Sequence, residues 1–109
     1  MGDVGTTKIF ENDKMIVWEF ALKPGESTEV LTHEHDYMFY VLNGTTLDVF
    51  DAEGQELYDL ELKTGETFAF TCEASDLVSA DGKGHRLPAT HSARNTSSVA
   101  YREVLVETK

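Results

Sequence analysis

Apolar and polar positions alternate along most of this chain with a period of two. In "MIVWEFAL" (15–22), Ile16, Trp18, Phe20 and Leu22 share one face, as in a half-buried β-strand. "ELYDLEL" (56–62) repeats the pattern, with Tyr58, Leu60 and Leu62 on one face and Asp59 and Glu61 on the other. "MFYVLNGTTLDVFD" (38–51) predicts two strands joined at Asn43-Gly44, a dipeptide suited to a two-residue hairpin turn. "TFAF" (67–70) and "SVAYREVLVE" (98–107) add β-branched and aromatic strands. Turn residues separate them in "KPGE" (23–26), "DAEGQ" (51–55) and "KTGE" (63–66). Helical periodicity is nearly absent. "CEASDLVSA" (72–80) could anchor one short turn through Leu77 and Val78, and residues 71–87 are expected to form a loop. Short strands at regular spacing predict an all-β sandwich or barrel closed in jelly-roll fashion, with little or no helix.

Composition narrows this picture. The 109 residues suit one domain, with residues 1–6 as a candidate disordered end. An apolar content of 40% supports one core. No apolar run approaches the roughly 20 residues that span a bilayer, so no membrane association is expected. Twenty acidic side chains against nine basic ones give a net charge of −11, which repels phosphate backbones and argues against nucleic acid. "MGDVGTTKIF" lacks the basic patch and apolar core of a secretory signal. Cys72 is the single cysteine and cannot form an internal disulfide, which fits a reducing compartment, most simply the cytoplasm.

The candidate chemistry lies in "EVLTHEHDYMFYVLNG" (29–44), where His33 and His35 flank Glu34. Residues 31, 33, 35 and 37 share parity, so a regular strand would turn both imidazoles to one side. Two histidines buried together need a partner, which points to a shared metal. "HEHDY" is not a helical His-Glu-x-x-His zinc motif. No Gly-x-Ser-x-Gly or phosphate-cradling loop occurs. Arg94 and Arg102 are candidates to pair with a substrate carboxylate, with surface ion pairs as the plainer alternative.

The spacing of these residues resembles that of the small single-domain cupins. The first cupin signature runs Gly, five residues, His-x-His, three or four residues, Glu, six residues, Gly. Here Gly25 opens the frame and Gly44 closes it. Leu31 stands at the first His position, His33 at the second and Tyr37 at the Glu position. The second signature starts at Gly65 and ends in His-x-x-x-Asn, matched by His91 and Asn95 after an insertion that carries His85. "HEHDY" looks most like short cupins of the β-alanine-degradation type.

The resemblance implies a cupin jelly-roll barrel over the whole chain. It also implies a divalent metal, zinc or Fe(II), held by His33, His35 and His91, with His85 or Tyr37 as the open fourth position. Three imidazoles with open positions suit either metal. Tyr37 and Arg94 are the candidate catalytic groups, acting on a small organic acid or carbonyl compound. Dioxygenase, isomerase, lyase and cyclase chemistry all occur on this fold, and fold does not choose among them. Leu31 and Tyr37 favour the alternative, a metal-free cupin that binds a small ligand or serves as an interaction module. Small cupins often pair through their sheets, so a homodimer is expected.

Overall fold

A computed structural model describes residues 4–109. Eleven strands make up the regular structure of this region: β1 Thr7–Glu11, β2 Met15–Leu22, β3 Leu31–Thr32, β4 Tyr37–Asn43, β5 Thr45–Asp51, β6 Glu56–Leu62, β7 Thr67–Glu73, β8 Asp76–Ser79, β9 Arg86–Pro88, β10 Thr90–Arg94 and β11 Tyr101–Thr108. They form an antiparallel seven-stranded sheet, β1-β2-β11-β4-β7-β8-β9, and an antiparallel four-stranded sheet, β3-β10-β5-β6. The chain passes repeatedly from one sheet to the other, so the sheets close face to face as a jelly roll. Among the described residues no helix is long and apolar enough to cross a membrane.

The alternation seen in the sequence fills the space between the sheets. Trp18 and Leu22 of β2 are buried, with Ile16 and Phe20 packed beside them. From the opposite sheet, β6 contributes Leu62, Leu60 and Tyr58. Phe39, Phe68, Phe70 and Tyr37 stack along β4 and β7, the Phe39 and Phe68 centroids lying 5.1 Å apart. The Lys-x-Gly-Glu turns are built alike. Glu26 and Glu66 N–H donate to the Lys23 and Lys63 carbonyls, and Gly25 and Gly65 adopt φ of 81° and 87°, as the third residue of a type II turn requires.

Two expectations fail, each for a reason of tertiary structure. Asn43-Gly44 is no hairpin: β4 pairs with β11 and β7, whereas β5 pairs with β10 and β6. The dipeptide is a crossing between sheets. A Cβ on Gly44 would lie 2.1 Å from the Leu62 carbonyl oxygen, so glycine is required there by the close approach of two backbones. The expected 71–87 loop is two added strands. β7 runs to Glu73, and β8 and β9 extend the large sheet and bury Leu77 and Leu87 in the core. A strand register, not a helical turn, sets the position of Leu77 and Val78. Of the candidate disordered end, residues 1–3 lie outside the described residues. Val4 packs on the core, and Thr6 N–H donates to the Glu19 carbonyl at 2.8 Å.

Candidate functional site

The expected histidine strand is interrupted. β3 ends at Thr32 in the small sheet and β4 begins at Tyr37 in the large one, so residues 33–36 carry the chain between sheets. Alternation of faces holds only along a continuous strand. At the crossing His33 turns inward and is 5% exposed, while His35 sits half-buried at a bend. The crossing is pinned on both sides. His33 N–H donates to the Ala89 carbonyl at 2.9 Å, and Asp36 Oδ1 accepts the Cys72 N–H at 2.8 Å.

His91, on β10, comes from the neighbouring strand, opposite Leu31 of β3. The His33 and His91 rings stack with centroids 5.3 Å apart and planes 19° from parallel. His33 also stacks on Tyr37, at 4.3 Å and 13°. The three rings line a cavity of about 80 Å³. That is room for several waters or one small molecule. Most of the remaining wall is apolar, including Leu31, Phe39, Leu47, Val49, Phe70 and Leu87.

His35, His85 and Arg94 do not line this cavity. His85 is half-buried against the Phe68 ring, 5.8 Å between centroids. The added strands therefore return no fourth imidazole to His33 and His91. Arg94 is exposed at the end of β10, opposite Asp48. Arg102 is on the surface, where it pairs with Glu19 at 2.5 Å.

One cavity residue escaped the sequence reading. Glu103 of β11 lines the cavity, is 6% exposed, and accepts a hydrogen bond from the Tyr101 hydroxyl at 2.6 Å. The signal was present in "YREVLVE": Glu103 and Glu107 share parity with the apolar Tyr101 and Leu105. Glu107, equally inward, accepts the Trp18 indole N–H at 2.8 Å.

Burial sets the protonation of the site. Desolvation holds the His33 imidazole well below its usual value, at about 3, with the neighbouring His91 adding to the effect. Desolvation also lowers His91, opposed by its hydrogen bond with the Pro88 carbonyl. That bond, 2.8 Å long, requires the proton on Nδ1 and leaves the Nε2 lone pair free. Burial pushes the Tyr37 phenol well above its usual range, with the Glu103 charge adding to it. The Glu103 carboxyl is pushed up to about 8 by desolvation, against a lowering by Tyr101. At neutral pH the cavity thus holds two neutral imidazoles, a neutral phenol and a carboxylic acid that is largely protonated.

These residues do not suit a resident divalent ion. Zinc sites use at least three protein donors. Among the described residues, the one group of three or more His, Cys, Asp or Glu with ligand atoms within 4.8 Å of one another is Asp48, Glu56 and Asp59, away from the cavity. Leu31 fills the first-ligand position with an apolar side chain, and Tyr37 offers a neutral phenol.

No protein-family model matches the chain, and no curated protein matches it at a significant level. Solved structures do. A cupin domain from Bordetella pertussis Tohama I is similar with a TM-score of 0.66 at 20% identity, covering 99% of both chains. A sugar phosphate isomerase from a cupin superfamily of Silicibacter pomeroyi is similar at 0.54 and 18% identity, over 89% of this chain and 52% of that one. The polyketide cyclase RemF from Streptomyces resistomycificus is similar at 0.52 and 19% identity, over 89% of this chain and 56% of that one. This chain thus spans about half the length of the two enzymes. At such identities the likeness speaks to architecture, and the architecture is the cupin fold, an all-β double-stranded β-helix.

Proposed function

We propose that this cupin barrel binds one small, largely apolar molecule between its sheets and does so without a resident metal. The observation that carries the reading is the donor set: two stacked imidazoles, His33 and His91, and no third metal donor beside them among the described residues. An apolar cavity with a few convergent polar groups is the ordinary form of a small-molecule site. Among the described residues buried His33 Nδ1 has no hydrogen-bond partner, which supports water or ligand completing the polar end. The described lining contains no Lys or Arg. A sugar phosphate, the substrate class named for one longer neighbour, would bring charge with no cation to meet it. An apolar carbonyl compound of the polyketide kind suits the wall better. The free Nε2 of His91 is left to accept a hydrogen bond from a water or a hydroxyl at the polar end of the cavity.

Metal content decides between this reading and the divalent-metal cupin expected from the histidines. Untagged protein should carry well under one zinc or iron per chain by elemental analysis, and its melting temperature should not rise on adding either ion. Near-stoichiometric metal that vanishes in a His33→Ala/His91→Ala double variant would overturn the reading.

A further inference from the structure

We propose that Glu103 sets the ligand specificity of the cavity by offering it a hydrogen-bond donor, and that the ligand is a small uncharged molecule presenting a carbonyl oxygen. This rests on the metal-free binding reading above and names its ligand class. Glu103 is the one acid among the cavity-lining residues described. It projects inward from β11 between Phe20 of β2 and Val41 of β4, its neighbours across the sheet. A leucine there would continue the apolar wall, as Leu105 does two residues on. A carboxyl in that place costs stability unless its polar atoms are used.

One oxygen is used. The Tyr101 hydroxyl donates to Oε1, and among the described residues Tyr101 is the only hydrogen-bond partner of this carboxyl. Because a hydroxyl already occupies Oε1 as donor, the acid proton belongs on Oε2, which has no protein acceptor there. An O–H fixed at its base by a tyrosine and opening on an apolar cavity is a preorganised donor. It matches a neutral carbonyl oxygen and repels a carboxylate once it ionises itself.

The charge at this point responds to pH through Glu103. The titratable groups that interact with it are Tyr101 on its own strand and Tyr37 on β4, and His33 and His91 line the same cavity. The two tyrosines are held above their usual range and the imidazoles below theirs, so all four stay neutral around pH 7 to 9. Glu103, with its carboxyl at about 8, is the cavity group that changes charge in that interval.

Three six-membered-ring probes test the proposal: cyclohexanone, methylenecyclohexane and cyclohexanecarboxylate. Binding is followed by the methyl NMR shifts of Leu47 and Val49 in wild type, Glu103→Gln and Glu103→Leu. The expected result is a roughly tenfold preference for the ketone over the hydrocarbon in wild type, the worth of one hydrogen bond. Glu103→Gln, which keeps a donor, should retain the preference, and Glu103→Leu should lose it. Wild-type ketone affinity should fall several-fold between about pH 7 and pH 9, while that of Glu103→Gln stays level. Equal binding of ketone and hydrocarbon in wild type would overturn the role of Glu103 and leave the apolar-cavity reading standing. So would a preference that survives in Glu103→Leu, or tighter binding of the carboxylate. Binding of none of the probes would overturn both.

Discussion

Asn95 illustrates how a residue placed by the His-x-x-x-Asn spacing serves the fold and not the cavity. Its side chain is fully buried, and its Nδ2 donates to the Leu22 and Val99 carbonyls at 2.9 and 2.8 Å. Its Oδ1 accepts from the Ser97 N–H and hydroxyl. The Gly25 N–H donates to its backbone carbonyl, joining the 23–26 turn to the end of β10. Asn95→Ala would take the side-chain donor from the buried Leu22 carbonyl and the acceptor from the Ser97 N–H, and open a void. A loss of roughly 2–4 kcal/mol is expected, read by urea unfolding. A loss under about 1 kcal/mol would mean that water replaces the amide. His91, four residues earlier, differs in kind. Its Nδ1 is committed to Pro88, and its Nε2 is the atom left for a ligand.

At the scale of elements, the crossings between sheets govern both the fold and the site. The Gly44 crossing is stitched to the 63–66 turn: its N–H donates to Thr64 Oγ1 at 2.9 Å, and the Gly65 N–H donates to the Val41 carbonyl at 2.8 Å. Gly44→Ala would drive a methyl against the Leu62 oxygen and the Thr64 nitrogen, which lies 2.6 Å from the Cβ position. Neither atom belongs to a flexible side chain, so a cost of roughly 2–4 kcal/mol is expected. At Gly54 the Cβ position is open, and only the positive φ opposes alanine. Gly54→Ala should cost about 1 kcal/mol. Equal melting temperatures for the two variants would argue against the close approach at Gly44. The second crossing, residues 33–36, separates His33 from His35. The pair is adjacent in sequence spacing and divergent in space because no single strand holds both.

For the whole molecule, stability is bounded from both sides of pH by groups in one cavity. His33 stays neutral when folded down to about pH 3, whereas the unfolded imidazole takes up its proton near 6.5. The unfolded chain therefore binds more protons in that interval, and this contribution is lost as pH falls from 6.5 towards 3. Glu103 acts in the opposite sense. It keeps its proton when folded up to about pH 8, and the unfolded carboxyl releases it near 4.5. Its contribution is complete below 4.5 and lost as pH rises towards 8. Each group inside its window moves the unfolding free energy by up to roughly 1.4 kcal/mol per pH unit. Denaturant unfolding of wild type and Glu103→Gln at about pH 5 and pH 8 separates the limbs. Relative to wild type, the Gln variant should gain a few kcal/mol at the higher pH over the lower. Parallel profiles would show that Glu103 is ionised throughout.

The sequence by itself determined the strand rhythm, the paired Lys-x-Gly-Glu turns and the inward faces of β2 and β6. These follow from side-chain alternation and turn chemistry, which are local. It also brought His33 and His91 to neighbouring positions through their spacing from Gly25, Gly44 and Asn95. It could not decide whether Asn43-Gly44 closes a hairpin or crosses between sheets, since both need the same dipeptide. Nor could it place His35 and His85, because parity has meaning only within one strand and register only against a partner. Tertiary structure alone turned residues 71–87 into β8 and β9, kept two imidazoles together instead of four, and brought Glu103 into the same cavity. Burial, a property of the closed barrel, then fixed which of these groups carries a proton.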